Sequence, residues 1–358
     1  MEPFRIHIED DILEDLRSRL SRTRWPDQIS GIGWKQGTDL EWLQHLVSYW
    51  AREFEWRAWE RRLNALKQFT WEGIHFVYQR GVLGKSIPLI LTHGWPSSFL
   101  DYVNMLPILE RFDLVVPSLP GYGFSPRPPT VGINYRYVAE RWHRLMSGLG
   151  YSRYAAGGYD FGAGVTTILA AEHPESVMGI HITSLESDLT PIVDESELSD
   201  IERSYVAVNR EWDQTERGYS AIQSTKPQTI GYGLNDSPAG LAAYLGEKWH
   251  SWSDVTPTDD FLCATFTLYW ITQSITSSMR DYWDNRWHRV DPAYVSTPTA
   301  FGVFTHQTVP EGEPPRSYLE RLYNIQRWTV FPRGGHFAPV EEPAAVAGNL
   351  TAFFRGLS

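Results

Sequence analysis

The chain has 358 residues, 42% of them hydrophobic and 21% charged, a balance typical of a globular protein with a large core. Its formal net charge of −11 argues against a broad nucleic-acid-binding surface, and no apolar run reaches the roughly 18 residues of a membrane span. The single cysteine, Cys263, excludes an intrachain disulfide and a cysteine-based metal site.

The first 70 residues are predicted to form an N-terminal helical extension. Their beginning lacks the basic start and the apolar run of a secretory signal, so we expect a cytoplasmic protein. Apolar residues then recur at three- and four-residue spacing, which predicts helices with one core-facing stripe, in 10-DDILEDLRSRLSRTRW-25, 38-TDLEWLQHLVSYWAREF-54 and 57-RAWERRLNALKQF-69.

From about residue 71 onward, short apolar runs alternate with helical segments. This alternation predicts an α/β fold, in which a mostly parallel sheet carries helices on both faces. The predicted strands are 74–79, 87–93, 113–118, 154–158, 178–183, 300–305 and 327–332. The predicted helices lie near 98–109, 134–149, 162–173 and 338–355.

The alternation stops between residues 190 and 295, where the sequence is helical in character and rich in Trp and Tyr. This segment follows the predicted strand 178–183, so we expect a helical lid inserted over the carboxyl ends of the strands. Ligands of open α/β sheets bind at that edge. The predicted organisation is therefore a core of residues 71–189 and 296–358 with a lid of residues 190–295.

The segment 157-GGYDFGAG-164 follows one predicted strand and opens a helix. It matches the nucleophile elbow G-x-S-x-G of α/β-hydrolases, except that Asp160 stands in place of serine. Gly158 and Gly162 would avoid clashes at such a strained turn. A carboxylate can attack carbon and form an ester, but an aspartate is also a common helix N-cap. The local pattern alone leaves both interpretations open.

The segment 93-HGWP-96 directly follows an apolar strand, where these folds keep an oxyanion-hole loop. The N–H groups of Trp95 and Phe161 are predicted to converge on one oxygen there. Pro96 would hold the turn, and a cis bond before it is one option. The alternative is an ordinary tight turn between a strand and a helix.

The segment 334-GGHFAPVEEP-343 follows the last predicted strand. A histidine in a glycine loop before a helix is the usual place for the base of a hydrolase, although a lone histidine is more often structural. The three motifs occur in the expected order, so His336 is predicted to be the base.

Taken together, these motifs and others make the chain similar to the microsomal-type epoxide hydrolases, which include the juvenile hormone epoxide hydrolases. The resemblance runs through nearly the whole chain. It rests on 24-RWPD-27, 49-YWAREFEWR-57, 63-LNALKQF-69, 93-HGWP-96, 117-PSLPGYGFS-125, 225-TKPQTIGYGLNDSPAGLAAYLGEKW-249, 269-YWITQSITSSMRDYW-283 and 334-GGHFAPVEEP-343.

The resemblance implies an α/β-hydrolase fold and roles for individual residues. Asp160 matches the aspartate nucleophile, and His336 matches the base that activates water. Tyr219 and Tyr282 match two lid tyrosines that bind and protonate the epoxide oxygen. The implied reaction opens an apolar or aromatic epoxide to a vicinal diol through an ester on Asp160, and it needs no metal or organic cofactor.

The resemblance also bears on partners. The expected partners are a small-molecule epoxide and water, with no nucleic acid and no membrane, and a homodimer is left open. The chain lacks the anchor helix of many membrane-bound relatives, so a soluble enzyme is implied. His93, Pro96 and Tyr159 are further candidates for contact with the substrate.

The sequence departs from the family pattern at the elbow and at the expected third catalytic residue. The usual GGDWG is GYDFG here, so Tyr159 replaces a glycine and Phe161 a tryptophan. Gln307 occupies the position of an acidic residue. Its amide can accept a hydrogen bond from His336 but cannot stabilise an imidazolium by charge. Loss of the matching carboxylate in serine proteases lowers kcat by about 10⁴.

Three interpretations of Gln307 are open. We favour a relocated carboxylate, Glu186 or Asp188, directly after the predicted strand 178–183. Alternatively, Glu311 or Glu313 reaches in from the following loop. In the third interpretation the ester-hydrolysis step is impaired or unnecessary.

Competing functions use the same residues differently. A haloalkane dehalogenase also has an aspartate nucleophile, but it would need halide-binding Trp or Asn donors rather than two tyrosines. An esterase is disfavoured, because Asp160 stands where the serine would be. A cyclase or a binding protein that lost the hydrolytic half-reaction is supported by Gln307 alone.

Overall fold

The computed structural model describes residues 1–82, 86–185, 190–191, 193–306 and 313–357. Within these ranges nine strands form one sheet. They are β1 (Glu2–Phe4), β2 (Gln68–Trp71), β3 (Ile74–Gln79), β4 (Ile87–Thr92), β5 (Phe112–Pro117), β6 (Tyr154–Gly158), β7 (Val177–Ile182), β8 (Val295–Phe304) and β9 (Tyr323–Phe331).

The sheet is mostly parallel, as predicted. Its spatial order is β1-β2-β3-β5-β4-β6-β7-β8-β9. The first four strands in that order pair antiparallel, and every later pair is parallel. All residues of β5 and β6 are buried, which is expected of central strands covered by helices on both faces.

Helices precede, connect and follow the strands of this sheet. Those of the N-terminal region are α1 (Asp10–Ser21), α2 (Leu40–Arg52) and α3 (Trp56–Asn64). Those of the core are α4 (Tyr135–Gly148), α5 (Phe161–Glu172), α12 (Arg316–Leu319), α13 (Ala338–Glu341) and α14 (Pro343–Arg355). None of the helices in the described ranges is long and apolar enough to span a bilayer.

The described part of the inserted segment between β7 and β8 is mainly helical. It consists of α6 (Asp200–Thr215), α7 (Gly218–Gln223), α8 (Pro227–Leu234), α9 (Pro238–Trp252), α10 (Asp259–Ile271) and α11 (Ile275–Trp287). The N-terminal helices brace this lid through two indole N–H groups. Trp50 donates to Thr267 Oγ1 at 2.8 Å, and Trp59 donates to Asp260 Oδ2 at 2.9 Å.

The N-terminal region is not wholly helical, contrary to the prediction. Strands β1 and β2 belong to the sheet, and β2 pairs with β3 through the two-residue turn Glu72–Gly73. Both turn residues have positive φ, 47° and 82°, as a hairpin turn matched to strand twist requires. The apolar spacing predicts a helix to residue 69, but α3 ends at Asn64 because Gln68 and Phe69 belong to strand β2 of the hairpin.

Two other predicted elements differ in length. The helix expected at 98–109 is only a short 3₁₀ turn, Phe99–Tyr102, followed by further turns. Pro107 explains this, since proline lacks an N–H donor and disfavours a helical residue before it. Strand β8 starts at Val295 rather than at 300, and a register irregularity between Val295 and Pro298 accommodates the proline.

Candidate active site

Asp160 lies at the sharp turn from β6 into α5. Its backbone has φ 54° and ψ −132°, a conformation that non-glycine residues rarely adopt. Backbone carbonyl groups approach Gly158 and Gly162 so closely that neither position has room for a side chain. A Cβ on Gly158 would lie 2.3 Å from the carbonyl oxygen of Gly162, and a Cβ on Gly162 would lie 2.0 Å from that of Thr92. The turn therefore admits only glycine at these two positions.

One carboxylate oxygen of Asp160 is held by two backbone donors. Asp160 Oδ1 accepts from the Trp95 N–H at 2.8 Å and from the Phe161 N–H at 2.6 Å. The Trp95–Pro96 bond is cis, and Pro96 is buried in this loop. The loop reaches Asp160 because residue 94 is glycine: a Cβ there would lie 2.2 Å from Oδ1. The N–H groups of Trp95 and Phe161 therefore converge on one oxygen, as the sequence predicts.

The other oxygen faces His336. The distance from Asp160 Oδ2 to His336 Nε2 is 3.2 Å, and both side chains are only 3% exposed. Nε2 lies close to the carboxylate but makes no aligned hydrogen bond within the described residues. The opposite nitrogen, Nδ1, lies 3.1 Å from Ser184 Oγ. His336 is therefore poised between Asp160 and a serine hydroxyl.

Most candidates for the carboxylate partner of His336 lie outside the described residues. Glu186, Asp188, Gln307 and Glu311 all lie outside the described residues, so their roles stay predictions. Glu313 is described, and its side chain is exposed beside the lid rather than bonded to His336.

A buried acid that the sequence analysis missed lies close to this site. Asp101 is 1% exposed, and its Oδ2 accepts a hydrogen bond from the Tyr159 hydroxyl. The Tyr159 ring and the His336 imidazole form a T-shaped pair, with centroids 5.9 Å apart. Burial raises the pKa of Asp101 to about 7, although the hydrogen bond from Tyr159 and the proximity of His336 act in the opposite direction.

The two lid tyrosines lie against the residues that hold Asp160. Tyr219 stacks on the Trp95 indole with centroids 5.6 Å apart. Tyr282 meets Trp95 edge-on at 5.7 Å and Phe161 at 4.8 Å. The two tyrosine rings are 5.8 Å apart. Helices α7 and α11 therefore bring both predicted acids to the oxyanion-hole loop.

A buried cation lies against one of these tyrosines. Lys248 is 6% exposed, and its Nζ lies 4.4 Å from the centre of the Tyr219 ring and 5.4 Å from that of Trp252. Lys248 is also ion-paired with Glu247. The sequence analysis missed Lys248, although it lies within the lid segment 225–249 that carries the resemblance.

The loop that bears His336 is tied to the end of lid helix α9. The His336 N–H donates to the Trp252 carbonyl at 2.9 Å, and the Gly334 N–H donates to Asp254 Oδ2 at 2.9 Å. The Glu341 carboxylate accepts backbone N–H bonds from both sides of this junction, at Asp254, Val255, Gly335 and Phe337. The base and the lid are thus joined by several hydrogen bonds.

Two of the predicted substrate contacts have other partners. His93 is fully buried, its Nδ1 lies 3.0 Å from the Gly94 carbonyl oxygen, and its Nε2 accepts from the Leu119 N–H at 3.2 Å. Burial lowers the pKa of His93 to about 4, so the ring is neutral. Both nitrogens are therefore used by the backbone, and His93 supports the loop rather than offering a polar atom to a substrate. The hydroxyl of Tyr159 is likewise committed to Asp101.

Comparison with known proteins agrees with this geometry. Residues 1–102 match the family described as the epoxide hydrolase N terminus, and residues 87–228 match the alpha/beta hydrolase fold. Juvenile hormone epoxide hydrolase 2 of Ctenocephalides felis is 32% identical over 98% of this chain and 84% of its own length. The chain belongs to the epoxide hydrolase family.

Other epoxide hydrolases extend the match. A Stigmatella aurantiaca protein with a provisional epoxide hydrolase name is 35% identical, over 99% of this chain and 85% of its own. The epoxide hydrolase of Aspergillus niger superposes with a TM-score of 0.89 at 29% identity, covering 100% of this chain and 96% of that one. Juvenile hormone epoxide hydrolase of Bombyx mori gives a TM-score of 0.90 at 28% identity, over 99% and 94% of the two chains. The α/β-hydrolase fold and the assignment as an epoxide hydrolase are both confirmed.

Proposed function

We propose that this epoxide hydrolase works through an ester on Asp160 and opens apolar or aromatic epoxides to vicinal diols. The observation that carries the proposal is the unequal environment of the two Asp160 oxygens. Oδ1 is held by two N–H groups, whereas Oδ2 faces His336. Such a carboxylate has one oxygen fixed in an oxyanion hole and the other directed toward a reacting carbon.

In the first step Asp160 Oδ2 attacks an oxirane carbon. A carbon–oxygen bond to Asp160 forms while the ring carbon–oxygen bond breaks, and the electron pair goes to the departing oxygen. Tyr219 and Tyr282 hold that oxygen, and one of them gives it a proton. Phenols suit this task, since an unperturbed phenol has a pKa of about 10 and general acids typically contribute about 10²–10⁴ in rate.

In the second step water cleaves the ester. His336 Nε2 takes a proton from water, and the resulting hydroxide attacks the carbonyl carbon of the ester. The tetrahedral oxyanion on Oδ1 is stabilised by the N–H groups of Trp95 and Phe161, and one such donor is typically worth about 10²–10³ in kcat. The intermediate then collapses: the bond between Asp160 Cγ and the substrate oxygen breaks, the departing oxygen takes the proton of the newly added hydroxyl group, and the diol and the Asp160 carboxylate result. The proton on His336 returns to solvent or to the tyrosinate.

The aromatic residues around Asp160 support the proposal that the substrate carries an apolar or aromatic group next to the epoxide. Trp95, Phe161 and Trp252 surround the tyrosines, and Trp95 and Trp252 are within 6.4 Å of each other. Flat apolar surfaces of this kind favour contact with an aromatic or hydrocarbon group.

The test is to trap the ester. The His336→Gln variant is incubated with styrene oxide, digested and analysed by mass spectrometry. We expect the peptide that contains Asp160 to gain the mass of one epoxide, because alkylation proceeds while hydrolysis stalls. The Asp160→Asn variant, treated in the same way, should remain unmodified. Normal diol formation by Asp160→Asn, or an adduct on a different residue, would falsify the mechanism.

A further inference from the structure

A cavity of about 320 Å³ lies beside the two tyrosines. Phe161, Tyr219 and Tyr282 belong to its wall, so it adjoins the place where the epoxide oxygen would be held. The remaining wall is unlike the aromatic surface around Asp160, because three arginines line it: Arg217, Arg286 and Arg289.

No carboxylate-bearing residue of the described chain lines this cavity. Arg217 and Arg289 are paired with acids outside it, Asp213 at 2.8 Å and Asp291 at 2.7 Å. Arg286 differs: its Nη1 donates to Ser224 Oγ at 3.1 Å, and within the described ranges it forms no ion pair. The protein as a whole carries a formal net charge of −11, so the positive charge of Arg286 beside the site is a local feature.

A second groove, lined in part by lid helices α6 and α9, has the opposite character. It is larger, about 1320 Å³, and includes Trp252. Acidic side chains line it, among them Glu211, Glu216 and Glu247. A negatively charged group would be repelled there and attracted to the arginine-lined cavity.

We propose that the substrate of this enzyme carries an oxyanion, a carboxylate or a phosphate, which binds to Arg286 in the cavity of Arg217, Arg286 and Arg289. The epoxide then lies between the tyrosines and Asp160, with the apolar part of the molecule against the aromatic walls. A guanidinium presents paired N–H donors that match carboxylate and phosphate oxygens. This inference rests on the proposed function, because it concerns the far end of the same substrate.

The test compares charged and neutral forms of one epoxide. Terminal epoxides with chains of increasing length are offered as carboxylates, as phosphonates and as the methyl esters of the carboxylates. We expect kcat/KM for one charged series to exceed that for the esters, at the chain length that spans the cavity. The Arg286→Gln variant should reduce this ratio by about 10- to 100-fold, the usual effect of losing a charged hydrogen bond of roughly 1.5–3 kcal/mol.

The matched control is Arg210→Gln. Arg210 is an exposed arginine of α6 that pairs with Glu195 away from the cavity, so the variant loses the same charge and should keep the ratio. A second readout is inhibition by benzoate and by phenylphosphonate, which should weaken in Arg286→Gln only. Equal kcat/KM for acids and esters in the unaltered enzyme, or equal losses in the two variants, would overturn the inference. Failure of the proposed function looks different, since then no epoxide is hydrolysed and no adduct forms on Asp160.

Discussion

The hydroxyl of Tyr159 donates a hydrogen bond to the buried carboxyl group of Asp101, and the same tyrosine ring forms a T-shaped pair with the His336 imidazole. Tyr159 stands where the family usually has glycine. The larger side chain lies behind the nucleophile, and its hydroxyl group is bonded to Asp101. A negative charge on Asp101 would stabilise the imidazolium that forms when His336 takes a proton from water. We therefore expect Asp101 to be a positioning residue that acts on His336 through Tyr159.

The first prediction concerns the rate of ester hydrolysis. At pH 8, above the pKa of about 7 that burial gives Asp101, Asp101→Asn keeps the shape of the side chain but removes its charge, so the imidazolium should be less stable. We expect hydrolysis of the ester to slow by about tenfold, equivalent to roughly 1.4 kcal/mol in the barrier, while formation of the ester is little changed. Single-turnover mass spectrometry of the Asp160 peptide separates the two steps. A slower first step with unchanged hydrolysis would argue against this role for Asp101.

The second prediction concerns stability and pH. Burial raises the pKa of Asp101 to about 7 from a usual 3.8. Between these values the native state retains a proton that the unfolded chain releases, so this group lowers the free energy of unfolding as pH rises. Relative to the unaltered enzyme, Asp101→Asn should therefore gain stability from pH 4 to pH 7. Urea unfolding at several pH values measures this difference.

A control for this prediction comes from Asp113. Burial opposes ionisation there, but hydrogen bonds from Tyr151 and from the Gly81 N–H hold the pKa of Asp113 below its usual value. Its contribution to stability is present above pH 4 and is lost as the solution becomes more acidic. The difference between Asp113→Asn and the unaltered enzyme should be flat from pH 5 to pH 8. A flat difference for Asp101→Asn as well would contradict the second prediction.

The third prediction concerns Lys248. Its ammonium group lies over the ring of Tyr219 and would stabilise the phenolate that remains after proton donation. Lys248→Met should slow ester formation by about 2- to 30-fold, corresponding to the roughly 0.5–2 kcal/mol of a cation–π contact. Rapid-quench measurement of the Asp160 adduct gives this rate. Lys226→Met removes an exposed lysine from the same lid and serves as the control. Equal effects of the two substitutions would exclude a specific role.

The fourth prediction concerns Gly94. A Cβ at this position would lie 2.2 Å from Asp160 Oδ1, so Gly94→Ala must push the oxyanion-hole loop away from the nucleophile. We expect kcat to fall by about 10² or more, the typical effect of losing one oxyanion donor. Gly348→Ala, in helix α14 with open space around it, should retain full activity and gain stability of about 0.5–1 kcal/mol. Steady-state kinetics and thermal unfolding compare the two, and near-normal activity of Gly94→Ala would refute the prediction.

Some of the site could be predicted because each part is local in sequence. The elbow at Asp160, the loop at Trp95 and the base at His336 each follow a strand, and carboxyl ends of parallel strands meet at one edge. The order of these three motifs along the chain is therefore enough to predict that the N–H groups of Trp95 and Phe161 converge. The same reasoning predicts the central strands, whose continuous apolar runs are typical of a buried parallel sheet.

The rest arises from contacts between distant segments. Asp101 and Tyr159 are 58 residues apart, and neither position shows a local pattern that predicts the pair. Lys248 of α9 meets Tyr219 of α7 across 29 residues of sequence. Strand β1 has three residues, too few for any periodicity, and its partner β2 was hidden at the end of a helical pattern. Tertiary packing rather than local propensity decides such features.

The hydrogen bonds between the His336 loop and the end of α9 bear on the timing of catalysis. Because the Trp252 carbonyl group and the Glu341 carboxylate accept hydrogen bonds that join the base to the lid, movement of that part of the lid would carry His336 with it. An open enzyme could then admit an epoxide, but its base would be out of line with Asp160. Water would be activated only after closure, so the ester would be protected from early cleavage at the wrong geometry. These hydrogen bonds would couple closure of the lid to alignment of His336, so that hydrolysis follows substrate entry.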